Sequence, residues 1–414
     1  MSDADTSNPP VQQARPSPER PVAAAGPRVL QVVPSFWPAL RYGGPIESVL
    51  QLCRHLAAAG CAVTVLTTDS NGPGARVEVK TGGEVELAPG MRVRYCRKLM
   101  RNSVSPELMT NLARYVAAAD LVHLTAVYSF PTIPTLAVCR RLHKPLVWSP
   151  RGALQVWPGR RRALAKTMWD RLCRKIAPPE TIVHVTSEPE AVSVRSALPG
   201  LRVAVVPNGV TIPDFAPRPP GGGETLRLLF IGRLDPKKGI ENLLQACVIL
   251  KRREAPRFML TIAGGGPEAY RRKLVDLIYR RELADRVRMI GPVEGDEKER
   301  AFAEADVAIF PSYIENFAIV VAEALARERP VIASHGTPWA EVEQIGCGLW
   351  VANSPAALSD AVCRISTMPL AQMGERGRRW MVERFAWPAI AQQMLACYER
   401  ALSSVGGTGP ANDQ

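Results

Sequence analysis

The residues best suited to chemistry in this 414-residue chain stand in a few short segments. In PSYIENFAIVVAEALA, Glu315 and Glu323 are separated by seven residues. Ionised carboxylates only accept hydrogen bonds, so the pair suits vicinal hydroxyls of a ribose or another sugar. The bland alternative is two exposed helix glutamates. Yet Glu323 sits within the strongly apolar AIVVAEALA, where an unpaired carboxylate costs too much to be incidental. In FIGRLDPKKGIENLL, Arg233 stands just past an apolar run and Lys238 opens the next helix. An arginine fork and a lysine point charge there suit a diphosphate; the alternative is a pair of solvated surface charges. In PSFWPALRYGGPIES, Gly43 and Gly44 precede Pro45, so the backbone can approach a ligand at a helix N-terminus. A lone Gly-Gly is also common in turns, and G-x-G-x-x-G, the dinucleotide fingerprint, is absent there. TIAGGGPEAY offers another close-approach turn. With backbone N–H groups of the helix that follows Glu315 offered to phosphate, the Glu315–Glu323 segment fits a nucleotide-sugar.

Each of these segments follows a predicted strand. RVLQVVP, CAVTVLTT, LVHL, KPLVWS, TIVHVTS and LRVAVVP read as buried strands, with PIESVLQLCRHLAAAG, PTIPTLAVCRRL and SEPEAVSVRSAL as intervening helices. Such alternation implies a parallel sheet covered on both faces. A second series runs from LRLLFIG through RFMLTIAGGG, VRMIG, ADVAIFPS and PVIASHG to GLWV. The expected organisation is a disordered tail over 1–27, an α/β unit over 28–206 and a Pro/Gly-rich linker over 207–225. A second α/β unit over 226–387, a helix over 388–403 that packs back on the first unit, and a disordered tail over 404–414 complete it. Ligands of such sheets bind at the carboxyl ends of the strands, so two facing units predict a cleft between them.

Apolar residues make up 46% and charged residues 22%, a soluble globular balance. No run of about 18 apolar residues predicts a spanning helix, and the polar N-terminus has no apolar core of an export signal. Nine cysteines, with no C-x-x-C pair, indicate neither a disulfide framework nor a zinc knuckle. The expected setting is therefore cytoplasmic. A net charge of +13 suggests an anionic partner, yet it is dispersed and lacks a nucleic-acid reader motif. Of the histidines at 55, 123, 143, 184 and 335, only His123, ending LVHL, is placed near the cleft, and a structural role is the competing reading.

Taken together, GGPIESV, SPRGAL, VPNGV, GRLDPKKGI, AGGGP, ENFAIVVAE and GTPWAEVEQIGCGLWV resemble the GT4 family (glycosyltransferase group 1) of retaining glycosyltransferases. The resemblance spans roughly Arg28 to Leu402 and implies the GT-B fold, two facing Rossmann-like domains. It implies that Gly43 and Gly44 approach the donor diphosphate, and that Arg233 and Lys238 neutralise it as it departs. Glu323 would accept the ribose hydroxyls and Glu315 those of the donor sugar. Backbone N–H groups near Phe317 to Ile319 would complete the phosphate cradle, and Gly232, Gly265, Asn316 and Ala318 fall within the same donor-binding motifs. Two departures stand out: Ala318 replaces a usual glycine, and Arg151 stands in SPRGAL where many members have histidine. Arg151, like His123, is then a candidate for the acceptor or the phosphates.

The only D-x-D lies at Asp3–Asp5, so no metal is expected, and arginine and lysine would take the role of a cation. The expected partners are a UDP- or GDP-sugar and a glycan or lipid-linked acceptor, with no nucleic acid. A basic group from Arg160 to Lys175, interleaved with Leu164, Met168, Trp169 and Leu172 and preceded by Trp157, reads as an amphipathic helix. A second group runs from Arg92 to Arg101. Peripheral binding at the inner face of the cell membrane is one expectation; a solvated helix with its apolar side packed inward is the other. Alternatives of function are a nucleotide-sugar epimerase of GT-B fold and a non-enzymatic basic nucleic-acid-binding protein.

Overall fold

The computed structural model describes residues 26–39, 43–72, 74–100, 103–156, 163–214, 225–253 and 256–406. Residues 1–25 and 407–414 of the expected tails, most of the expected linker, and Arg101, Trp157 and Arg160 to Arg162 lie outside these residues, whereas 404–406, expected in the C-terminal tail, continue the last helix.

The first half contains strands β1 (Arg28–Val32), β2 (Ala62–Thr68), β3 (Glu84–Ala88), β4 (Met91–Cys96), β5 (Leu121–Thr125), β6 (Leu146–Ser149), β7 (Ile182–Val185) and β8 (Arg202–Val205). Its helices are α1 (Gly44–Ala58), α2 (Pro106–Ala118), α3 (Thr132–Arg141), α4 (Leu164–Ile176) and α5 (Glu188–Ala197). The second half contains β9 (Thr225–Ile231), β10 (Arg257–Ala263), β11 (Val287–Gly291), β12 (Val307–Phe310), β13 (Val331–Ser334) and β14 (Gly348–Val351). Around them lie α6 (Ile240–Arg253), α7 (Glu268–Arg280), α8 (Gly295–Ala303), α9 (Ile319–Ala326), α10 (Glu341–Ile345), α11 (Pro355–Ile365), α12 (Leu370–Arg384) and α13 (Trp387–Gly406).

Among the described residues the strands form two sheets, ordered β3-β4-β2-β1-β5-β6-β7-β8 and β11-β10-β9-β12-β13-β14. Burial of both faces explains the uninterrupted apolar strands. Along β9, Leu226, Leu228 and Phe230 enter one core cluster while Leu229 and Ile231 enter another. Pairing is parallel with one exception: β3 runs antiparallel to β4, with Val85 opposite Val93. The all-parallel expectation missed this edge strand, although EVELAPGMRVRYC alternates and carries a Pro-Gly turn.

Chain order reverses between β1 and β5 in the first sheet and between β9 and β12 in the second. These switch points open crevices at the strands' carboxyl ends. The four loops that leave these strands carry Gly43–Gly44, Tyr128–Phe130, Arg233–Lys238 and Glu315–Ala318. The last helix, α13, puts Met394, Cys397 and Tyr398 into the same cluster as Val49, Leu52 and Cys53 of α1.

Candidate functional site

After β9 the chain makes a single 3-10 turn, Pro236–Lys238, capped by Asp235, whose Oδ1 accepts from Lys237 N at 2.9 Å. Gly239 follows at φ 66°, where a Cβ would lie 2.8 Å from Asn353 Nδ2. Lys238 therefore ends this turn, and the next helix begins at Ile240. The turn is tied to the loop after β12 by Tyr313 N donating to Lys237 O at 2.8 Å. That tie brings Lys238 Nζ onto Glu315 Oε1, which Ser312 Oγ also donates to at 2.8 Å. The pair is largely shielded, the side chains of Lys238 and Glu315 being 19% and 13% exposed. Arg233 is exposed and has no ion-pair partner among the described residues.

The Glu315 loop is held from behind by the GTPW stretch. Glu315 N donates to Gly336 O at 2.8 Å, and Trp339 Nε1 donates to Phe317 O at 2.5 Å, with the Phe317 and Trp339 rings 5.2 Å apart. Ala318 then caps α9 with φ 59° and ψ 64°. This left-handed conformation costs an L side chain about 1–2 kcal/mol and costs glycine nothing, which gives the usual glycine there a physical reason. Val321 N donates to Ala318 O at 2.9 Å, and the N–H groups of Ile319 and Val320 before it lack intrahelical acceptors, so this helix end suits an anion. Across from it stands the N-terminus of α1, capped by Gly43 at φ 69°. A Cβ on Gly44 would lie 3.5 Å from Ile319 Cγ2, so the glycine loop and the head of α9 abut.

Glu323 lies further along α9. It is shielded but not unpaired: Lys298 Nζ on α8 donates to its Oε1 at 2.7 Å. The sequence reading foresaw burial and missed the partner, because nothing in DEKERAF distinguishes Lys298 from other helix charges. Ser312, Gln155, Ser187 and Glu190 were missed too. Ser187 and Glu190 stand in an S-x-x-E capping signature, which is a local signal that could have found them.

The SPRGAL loop meets the Glu315 loop directly. Gln155 Nε2 donates to Glu315 O at 3.3 Å and Ser187 Oγ donates to Asn316 O at 2.6 Å. A Cβ on Gly152 would lie 2.9 Å from that of Asn316, so only glycine fits. Arg151, at φ 53°, sends Nη1 to Asn208 Oδ1, and its enclosed Nε has no partner among the described residues. Burial holds this guanidinium below its ordinary pKa, with Glu190 opposing the shift. In the glycine segment after β10, Gly264 and Gly266 leave no room for a Cβ, whereas Gly265 has ordinary contact with Pro292. Gly265 O accepts from Leu234 N at 2.8 Å and Gly232 N donates to Ala263 O at 3.0 Å, binding this segment to the Arg233 loop.

His123 requires correction as an acceptor or phosphate ligand. It is fully buried, with Nδ1 bonded to Tyr398 Oη at 2.7 Å and Nε2 to Ser149 Oγ at 2.6 Å. Ser149 Oγ continues to His184 Nδ1 at 2.6 Å, and His184 Nε2 to Val206 O at 2.8 Å. The chain of bonds pins α13 to the first sheet and leaves no ring nitrogen for a ligand. Burial, reinforced by Arg151, pushes the His184 pKa down to about 3, and burial with His184 and Arg151 holds His123 well below 6.5. Unfolded imidazoles protonate near pH 6.5 while these stay neutral. Stability is therefore complete above about pH 6.5 and declines as pH falls toward 3, by up to about 1.4 kcal/mol per pH unit for each ring. Urea midpoints should drop clearly between pH 7.5 and pH 5; equal midpoints would contradict neutral burial.

Among the described residues no group of three or more His, Cys, Asp or Glu could hold a metal ion, and no helix is long and apolar enough to cross a membrane. On α4 the apolar stripe faces outward: Leu164, Met168 and Leu172 are 74%, 61% and 45% exposed, while Asp170 and Cys173 are buried. Trp169 and Ile176 pack partly buried against the core beside Cys173, so the inward-packed expectation holds for these residues and not for Leu164, Met168 and Leu172.

Residues 217–380 match the family Glycosyl transferases group 1, and residues 42–212 match Glycosyltransferase Family 4. A D-inositol 3-phosphate glycosyltransferase of Saccharomonospora viridis is 30% identical over 190 residues, 44% of each chain. The enzyme of that name from Frankia alni is 28% identical over 408 residues, covering 87% of this chain and 95% of its own. The chain spans about half the length of the first of these curated relatives. In three dimensions, sucrose-phosphate synthase from Thermosynechococcus elongatus superposes with a TM-score of 0.70 at 23% identity, over 91% of this chain and all of that one. HepE of Anabaena, solved with UDP-glucose, superposes with a TM-score of 0.67 at 17% identity, over 90% and 100%. With family matches in both halves and two switch-point crevices meeting at one pair of helix ends, the chain belongs to the GT4 family of group 1 glycosyltransferases and has the GT-B fold.

Proposed function

We propose that this enzyme moves a sugar from a nucleoside diphosphate to an acceptor hydroxyl with retention of anomeric configuration. One observation carries the reading: Lys238 Nζ rests on Glu315 Oε1 where the heads of α1 and α9 meet. That geometry supplies a cation, a hydroxyl acceptor and two anion-binding helix ends at one place. The unit over 226–387 binds the nucleotide-sugar and the unit over 28–206 the acceptor. The UDP-glucose held by HepE supports a donor of this class.

In the reaction, the donor diphosphate draws Lys238 away from Glu315 and is neutralised by Lys238 and the exposed Arg233. Glu315, released, takes hydroxyls of the transferred sugar, and Glu323 takes those of the ribose. The bond from the anomeric carbon to the diphosphate breaks as the acceptor oxygen bonds on the same face, and the acceptor proton passes to the departing phosphate oxygen. Side-chain cations and helix ends stabilise that leaving group, so no metal is required. Incubating the protein with a panel of UDP- and GDP-sugars plus candidate acceptors, and weighing released nucleotide by mass spectrometry, tests this. Turnover should persist at nearly full rate in EDTA; a strict need for magnesium or manganese would overturn the metal-free mechanism. Neither epimerisation nor nucleic-acid binding is favoured by an observation here.

The acceptor is a glycan or a lipid-linked glycan met at the inner face of the cell membrane, in polysaccharide or lipid-linked glycan synthesis. Supporting this is the outward stripe of Leu164, Met168 and Leu172 beside exposed Lys166, Arg171 and Lys175. Each basic residue near an anionic bilayer contributes about 1 kcal/mol. The protein should sediment with anionic vesicles at low salt and be released at high salt; no preference over neutral vesicles would sink this claim and leave the transferase reading untouched.

A further inference from the structure

Beside the first turns of α4 lies a cleft of about 390 Å³, lined by Val104, Tyr128, Ser129, Phe130, Ala165, Lys166 and Trp169. It opens at the carboxyl end of β5, the same sheet edge as the Gly43–Gly44 loop. The polar ends of its rings are already engaged. Trp169 Nε1 donates to Val127 O at 3.0 Å, and Tyr128 Oη donates to Asp170 Oδ1 at 2.9 Å. What these side chains offer a ligand is therefore aromatic surface. The polar exceptions are Lys166, whose Nζ is 4.8 Å from the Tyr128 ring centroid, and Ser129, whose enclosed Oγ has no hydrogen-bond partner among the described residues.

That composition selects a ligand class. A sugar demands several hydrogen-bonding groups, and a wall of rings and aliphatic carbon with one hydroxyl and one ammonium cannot satisfy them. A hydrocarbon chain ending in a phosphate matches this wall: the chain covers the rings and the phosphate meets the exposed Lys166. The surroundings agree. The outer side of α4 carries exposed Leu164, Met168 and Leu172, and the segment leading to Val104 carries exposed Leu99 and Met100. Leu99 N donates to Val104 O at 2.8 Å, which ties that apolar tip to the wall of the cleft. A chain leaving the cleft thus meets apolar surface on two sides.

We propose that this cleft binds the phosphate-proximal part of a phosphate-headed hydrocarbon chain, the portion that would carry a lipid-linked acceptor. The proposal rests on the acceptor reading given above and names the acceptor's anchoring group.

Farnesyl phosphate, farnesol and inorganic phosphate, titrated calorimetrically into the full chain, form the test. Farnesyl phosphate should bind saturably at one site, at least about tenfold tighter than either fragment, since a charged hydrogen bond is added to apolar burial. Lys166→Ala, at an exposed position that folding does not need, should remove about tenfold of that affinity. Equal binding of farnesol, an unchanged Kd in Lys166→Ala, or no saturable binding would each overturn the proposal. Replacing Leu164, Met168 and Leu172 together by serine should abolish vesicle sedimentation and preserve farnesyl phosphate binding. Parallel loss of both would overturn a cleft distinct from the membrane-facing stripe. Vesicle binding that survives the triple replacement, with farnesyl phosphate binding intact, would refute the stripe's role and still support the cleft.

Discussion

Replacing Lys238 by alanine should lower kcat by roughly two or more orders of magnitude, the scale seen when a preorganised electrostatic donor is removed. Its ammonium reaches the Glu315 carboxylate across two loops, and the proposed mechanism assigns to it the charge of the leaving group. As a solvated surface charge, the alternative open to the sequence, this lysine would leave stability untouched. The structure shields the pair, so alanine also leaves Glu315 with Ser312 Oγ as its side-chain donor among the described residues. A stability loss of about 1–3 kcal/mol should accompany the kinetic loss, as for a polar group stripped of its partner. Thermal melting separates the two effects. A folded variant with normal turnover would remove Lys238 from the chemistry.

The two glutamates should fail in different ways. Glu323→Gln should weaken the free nucleoside diphosphate by about tenfold, the scale of a charged hydrogen bond made neutral. Lys298 then loses its counter-charge, but it is partly open to water, so folding should change little. Glu315→Gln should leave nucleotide affinity within about twofold and reduce sugar transfer, because its carboxylate faces Lys238 rather than Lys298. Titrating UDP and GDP into both variants, alongside turnover, gives the readout. Equal losses of nucleotide affinity would contradict the division of roles.

Much of this architecture was legible locally. Apolar runs after Gly/Pro punctuation marked the strands, and Pro45, Pro267 and Gly60 marked helix ends. The E-x7-E spacing put Glu315 before a helix and Glu323 within it, as the structure has them. The β3–β4 hairpin was equally legible in its alternation and Pro-Gly turn and was overlooked in favour of the parallel rhythm.

By itself the sequence determined which loops follow strands, which residue types those loops carry, and which apolar positions share a face. These properties depend on spacings of two to four residues, which the local backbone converts directly into direction. Tertiary structure alone decided the partners. Lys238 meets Glu315 across 77 residues and Lys298 meets Glu323 across 25, because sheet order brings the ends of β9, β11 and β12 to one edge. It also enclosed His123, whose ring is sealed by Tyr398 from a helix 275 positions away. And it divided the apolar residues of α4, turning Leu164, Met168 and Leu172 outward while Trp169, Cys173 and Ile176 pack on the core. Partnership and burial depend on how distant surfaces close on one another, and no local spacing encodes that closure.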